Sequence, residues 1–310
     1  MQTRTDSERS SALRTYLSFI ALLLALAPST ARGQIANGIG VTVEFAPDAE
    51  VESVASQDGE VEPDNPPELG YQNVRATLLL PVELDSIDAV LIPGFSYRLY
   101  RPQVDDRIVF QGPDNLHDVN LQLGVLKHFN DTWSFLLIGS AGLATDFEDL
   151  EADHLRFQGI AALRYDNGAS WTFGVGAAFT YWFGEPLALP VLQAVYTGER
   201  WNADVNLPQL ASIRYTVVDD FDIGFLGQLD GNRFSIGEDL PVESVRLTIA
   251  DAGLQAGVRV SGPVWFTVYG GVTLLRQYEY QTDDNATLLN LDQVPGPIFR
   301  LGLLLRPKRD

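Results

Sequence analysis

No cysteine occurs anywhere in the chain. That excludes the disulfide framework of small secreted domains and any thiolate metal site. Lysine is nearly absent as well, with only Lys127 and Lys308. The three histidines, His117, His128 and His154, show no ligand spacing, and there is no Gly-x-Ser-x-Gly elbow, P-loop or dinucleotide fingerprint. The expectation is therefore no metal, no cofactor and no enzymatic activity. Beyond the N-terminus no apolar run is long enough for a membrane helix. Positive charge is scarce: 21 Lys and Arg stand against 41 Asp and Glu, a formal net charge of −20. A surface this acidic repels phosphate backbones, so nucleic acid is excluded as a partner.

What is present begins with a leader. Arg4, Arg9 and Arg14 precede the apolar run "YLSFIALLLALA" (16–27), and Ala31 and Gly33 give the small-x-small pattern of a cleavage site after Gly33. The run is short for a span, which needs about 20 residues. Residues 1–33 thus read as a secretory signal peptide and residues 34–310 as the mature protein.

The mature chain alternates. In "WTFGVGAAFTYWFGEP" (171–186), Trp171, Phe173, Val175, Ala177, Phe179 and Tyr181 form one row and Thr172, Gly174, Gly176, Ala178 and Thr180 the other. The same period of two recurs at Ile39–Phe45, Val119–Val125 and Trp201–Leu207, with no convincing amphipathic helix between such segments. Connections alternate in length. Long ones at 48–71, 101–115, 146–154, 230–241 and 281–296, with a medium one at 183–189, are interleaved with short ones such as "LDSID" (84–88), "FNDT" (129–132), "DNGA" (166–169), "TGER" (197–200), "VDDF" (218–221) and "SGP" (261–263). This is the pattern of an all-β transmembrane antiparallel up-and-down barrel, with short periplasmic turns and longer outer loops. Counting strands gives fourteen. Twelve is the alternative if Pro208 merely kinks one strand and a further hairpin is misread.

Composition sets the facing. The rows opposite the greasy ones carry Gly, Ala, Thr, Asn and Gln with isolated Arg, whereas acidic residues crowd the long loops, as in "DFEDLEAD" (146–153). A charge-poor belt with charge at its ends faces lipid, so the Trp171 row is expected outward. Tyr97, Tyr100, Trp133, Tyr165, Trp171, Tyr181, Trp182, Trp201, Tyr278 and Tyr280 are expected in interfacial girdles. Inward-facing candidates are Arg75, Arg98, Arg156, Arg164, Arg214, Arg246, Arg259 and Arg300, with Glu44, Asp118 and Asp204 as acidic counterparts. Two readings of these arginines stay open: an electrostatic constriction that screens solutes, or Arg–carboxylate braces. The acidic loops read as a solvated mouth; "DFEDLEAD" lacks the spaced ligands and Gly of a calcium loop.

The segments "LHDVNLQLGVLKHFNDTWSFLLIGSAGLATDF" (116–147), "LPVLQAVY" (189–196) and "LPQLASIRY" (207–215) resemble an uncharacterised family of bacterial outer-membrane β-barrels, described as porin-like, over roughly residues 70–306. The resemblance implies a fold and a location and brings no catalytic residues. The chain departs from the usual last strand, which ends in an aromatic residue: "FRLGLLLRPKRD" (299–310) ends in a charged tail. The expected partners are outer-membrane lipid, lipopolysaccharide and the barrel-assembly machinery. The expected function is a passive channel for small hydrophilic solutes. The alternatives are a structural or adhesion barrel with an ion-paired closed lumen, or a transporter of apolar compounds, which has only residues 34–37 from which to build a plug.

Overall fold

Only an extended backbone puts Trp171, Phe173, Val175 and Phe179 on one side and Thr172, Gly174, Gly176 and Thr180 on the other. In the computed structural model that segment is a strand whose aromatic row is outward, each of those four residues between 39% and 59% exposed, while Thr172 and Thr180 are buried inward. The structure describes residues 39–56, 59–61, 67–104, 113–148, 150–151, 154–181, 183, 185–237, 242–282 and 286–306. The signal peptide with its cleavage site, most of the acidic stretch 58–64, Asp149, Asp153, Trp182 and Lys308 lie outside them.

In chain order the strands are β1 (Ile39–Ser56), β2 (Gly59–Val61), β3 (Glu68–Leu79), β4 (Val82–Leu84), β5 (Ala89–Val104), β6 (Leu116–His128), β7 (Trp133–Thr145), β8 (Leu155–Asp166) and β9 (Trp171–Thr180). There follow β10 (Leu187–Thr197), β11 (Trp201–Leu207), β12 (Leu210–Val218), β13 (Phe221–Ser235), β14 (Ser244–Ser261), β15 (Val264–Gln281), β16 (Thr287–Gln293) and β17 (Pro297–Leu305). From β5 to β16 each strand pairs antiparallel with the next, β3 lies antiparallel between β1 and β5, and β17 returns to β1 with Ile39 opposite Leu305, closing the sheet. β3 and β4 are one stave, since both run along β5. β16 and β17 are another, since both bridge β15 and β1. With β2 a short flap on β1, the barrel has fourteen staves. Closure leaves no edge with unpaired backbone groups, the condition for crossing a bilayer with strands. Pro208 lies in the turn between β11 and β12, where Asn206 faces Leu210. The twelve-strand alternative falls with that register.

Around the turn-side rim, Trp133 packs on Tyr165, Trp171 on Tyr196 and Trp201 on Tyr215, with ring centroids 4.8–5.1 Å apart. Each pair is cross-strand and partly exposed. Together they form an aromatic collar beneath an outward belt that includes Leu121, Phe157, Val175, Leu192, Phe225, Leu254 and Leu301.

Two features depart from the expectation. Strand continues where loops were expected, through 48–56, 230–235 and 287–293, so the β13–β1 wall is tall; β11 and β12, with 7 and 9 residues, form a low rim. Tyr100, Tyr278 and Tyr280 are also not girdle residues: all three are buried inside. For the latter two the cause is a β-bulge. The β14–β15 register slips between Ala250↔Leu275 and Asp251↔Thr273, leaving both Leu274 and Leu275 outward. One extra residue moves every later side chain to the opposite face.

Candidate functional site

The inward rows meet in the middle of the lumen. Glu44 on β1 pairs with Arg300 on β17, which also pairs with Asp251 on β14. The Tyr71 hydroxyl donates to Glu44 at 2.7 Å, and Tyr269 donates to Asp251. Arg98 donates through Nε to Asn73 Oδ1 at 3.2 Å and pairs with Asp230 at 2.6 Å, while Arg75 reaches the same carboxylate oxygen at 2.5 Å. Asp230 is on β13, separated from β3 by β14, β15, β17 and β1 around the wall. These ion pairs therefore span the lumen. Every carboxylate in the band meets a guanidinium, the arrangement that partly buried charges require.

Towards the loop side of this band lies an apolar cluster. Tyr71, Tyr100, Leu116, Phe234, Leu247, Tyr278, Tyr280 and Leu291 are at its centre. Tyr100 packs against Tyr71, Phe234 and Tyr278, and its hydroxyl meets that of Tyr278. Members come from β1, β3, β5, β6, β7 and β13–β17, and none from β8–β12 among the described residues. The end of β13 explains this division. Past Leu229, whose N–H donates to the Gln209 carbonyl, β13 has outrun the low rim of β12 and leans across the lumen. There Ser235 bridges Thr145 of β7 in parallel register, and the Asp146 N–H donates to the Ser235 carbonyl. One side of the interior is thus packed solid.

The other side, along β8–β12, is lined differently. Inward positions hold Arg156, Gln158 and Arg164 on β8, the small row of β9, Gln193 on β10, Asn202, Asp204 and Asn206 on β11, and Ser212 and Arg214 on β12. Ala162, Ala178 and Val191 add a small apolar patch. This wall offers hydrogen-bonding groups and few packing ones.

The structure separates the arginines that the sequence groups together. Arg75, Arg98 and Arg300 join the cross-lumen band with Glu44. Arg164 and Arg214 both have Asp204 as an electrostatic neighbour on the β8–β12 side. Asp118 accepts from Asn120 and lies near Arg98 and Arg156. Arg259 is at the turn rim, pairing with Asp220 at 3.0 Å and stacking on Trp265. Arg246 is on the face of β14 opposite Val245 and Leu247, bonded to Glu279 at 3.1 Å and to the Phe183 carbonyl at 2.7 Å. The residues that sequence reasoning misses are Asp230, Asp251, Asn232 and Arg233. Asp230 and Asn232 share an even-numbered row with Gln228 in "GQLDGNRF" (227–234), a signal obscured by treating 230–241 as loop. Asp251 continues the odd row through Gly253 and Gln255.

The model of the family described as Domain of unknown function (DUF6268) matches residues 99–302. No curated protein matches the chain. Among solved structures, an outer membrane channel from Pseudomonas putida F1 is similar at 9% identity and TM-score 0.43, covering 90% of this chain and 99% of that one. A Pseudomonas aeruginosa FadL homologue is similar at 11% identity and TM-score 0.45, covering 88% and 91%. The NanC porin is similar at 7% identity and TM-score 0.37, covering 86% and 99%.

Proposed function

The chain belongs to the family described as Domain of unknown function (DUF6268), and for this member we propose an outer-membrane channel for small hydrophilic solutes, with traffic confined to the polar side of a divided lumen. One observation carries the proposal: among the described residues the interior apolar cluster takes nothing from β8–β12, whose inward rows present Gln158, Gln193, Asn206, Arg164, Asp204 and Arg214 instead. Side chains of this kind serve a wet wall better than a packed one. The outward apolar belt and aromatic collar support insertion in a bilayer, and the predicted leader supports export to the outer membrane. In that setting lipopolysaccharide would surround the belt, and the barrel-assembly machinery would insert it.

A second reading, a non-transporting barrel with a shut lumen, is favoured by the Asp230 pairs to Arg75 and Arg98. Transport of apolar compounds finds less support, because the interior apolar space is filled by the protein's own tyrosines and leucines. Planar-bilayer recording on the purified protein separates channel from brace. A steady open current is expected, and silence across many insertions would favour the structural barrel.

A further inference from the structure

Where β13 leans away from β12, its outward face turns toward the β8–β12 side, and guanidinium groups from three strands collect there. Arg233 on β13 lies directly opposite Arg246 on β14 in the ladder. Like charges facing each other across a strand pair are unfavourable unless something answers them. Arg156 comes from β8. It is 7% exposed, donates to Asn232 Oδ1 at 2.6 Å and to the Ala144 carbonyl at 3.4 Å, and has its guanidinium 5.2 Å from the Tyr181 ring centre. Phe183 and Glu185, between β9 and β10, reach the same place: the Phe183 carbonyl accepts from Arg246, and Glu185 is 3.6 Å from it.

The acceptors divide these arginines. Arg246 has two carboxylates, Glu279 and Glu185. Arg156 and Arg233 donate to neutral oxygens, Arg233 through Nε to Ser244 Oγ at 3.0 Å. Among the described residues, two cations thus converge in a partly desolvated notch where their hydrogen-bond acceptors are neutral, with Asp118 near Arg156 and Glu243 near Arg233, on a protein whose net charge is −20. General acidity would gather cations at this mouth, whereas the local arrangement selects the opposite sign. The planar fork of a guanidinium matches the two oxygens of a carboxylate or phosphate.

We infer that Arg156 and Arg233, flanked by Arg246 and Tyr181, form a binding site for an oxyanion-bearing solute at the loop-side mouth of the polar compartment. As an assignment of substrate class it rests on the channel reading, but the site itself can be tested without conduction. The probes are citrate and inorganic phosphate, titrated calorimetrically at low ionic strength into the full barrel in detergent. Saturable binding to the unaltered protein is expected, weakened at least tenfold in Arg156→Gln and in Arg233→Gln and unchanged in Arg259→Gln at the opposite rim. Absence of saturable binding, or binding by Arg233→Gln equal to that of the parent, overturns the site. If a variant fails to fold, the unaltered protein still decides the matter. Citrate should slow phenylglyoxal modification of Arg233, read by peptide mass, and leave Arg259 unaffected; equal rates at Arg233 with and without citrate overturn the site. Saturable binding without conductance would remove the channel and leave the site, whereas conductance without binding would remove the site and leave the channel.

Discussion

At the scale of single residues, Asp230 does more than its sequence context suggests. It accepts from Arg75 and Arg98 through one oxygen, and Arg98 has a side-chain exposure of only 6%. Replacing it with asparagine strands a buried guanidinium, so Asp230→Asn should lower unfolding free energy by about 3 kcal/mol, the lower end for a broken buried pair. Arg259→Gln removes a more exposed pair and should cost at most about 1 kcal/mol. Urea midpoints of the two variants check the contrast, and equal midpoints would mean that the cross-lumen pairs contribute little. Two glycines of one inward row also differ. A Cβ at Gly174 would meet Gln193 Cβ at 3.0 Å and its Oε1 at 3.1 Å, whereas at Gly176 it would run into the Ala161 carbonyl oxygen and come within 2.7 Å of Ala162 Cα. Gly176→Ala should therefore destabilise by roughly 1–3 kcal/mol through overpacking, with Gly174→Ala costing less. A reversed order of thermal midpoints would contradict this packing.

At the scale of elements, what the sequence reveals is whatever strict alternation reveals. Strands such as β8 and β9 keep one parity from end to end, so their outward rows, their turns and the inward position of Arg156 and Arg164 can be read directly. The β15 bulge and the crossing of β13 cannot be read this way. Tyr278 and Tyr280 look like girdle residues until the extra residue at Leu274 is known, and a bulge leaves little trace in a sequence where Leu274 and Leu275 are both leucine. The tall wall is hidden for a related reason: in 287–293 polar and apolar residues occur on both rows, and in 230–235 the row carrying Phe234 also holds Asp230 and Asn232, so period-two contrast fades. Deleting Leu274 tests the importance of the bulge. The shorter strand would turn Arg276, Tyr278 and Tyr280 outward, taking three large side chains from the interior. The deletion should abolish the heat-modifiable, fast-migrating form on cold gels. A deletion variant that retains that form and the parent's thermal midpoint would show that β15 tolerates either register.

At the scale of the whole molecule, β13 divides the lumen into an apolar, packed side and a side along β8–β12 lined by hydrogen-bonding groups. The absence of cysteine gives a silent background for thiol labelling, so single cysteines can probe either compartment. The most direct measurement is single-channel current through Gln193→Cys and Phe234→Cys before and after a charged methanethiosulfonate reagent. Gln193 faces inward from β10, opposite Gly174, while Phe234 is fully buried in the apolar cluster. The predicted result is a steady current that falls on modification of Gln193→Cys and is unchanged for Phe234→Cys. Block at Phe234→Cys with none at Gln193→Cys would place the path through the compartment described here as solid, and would contradict the divided lumen.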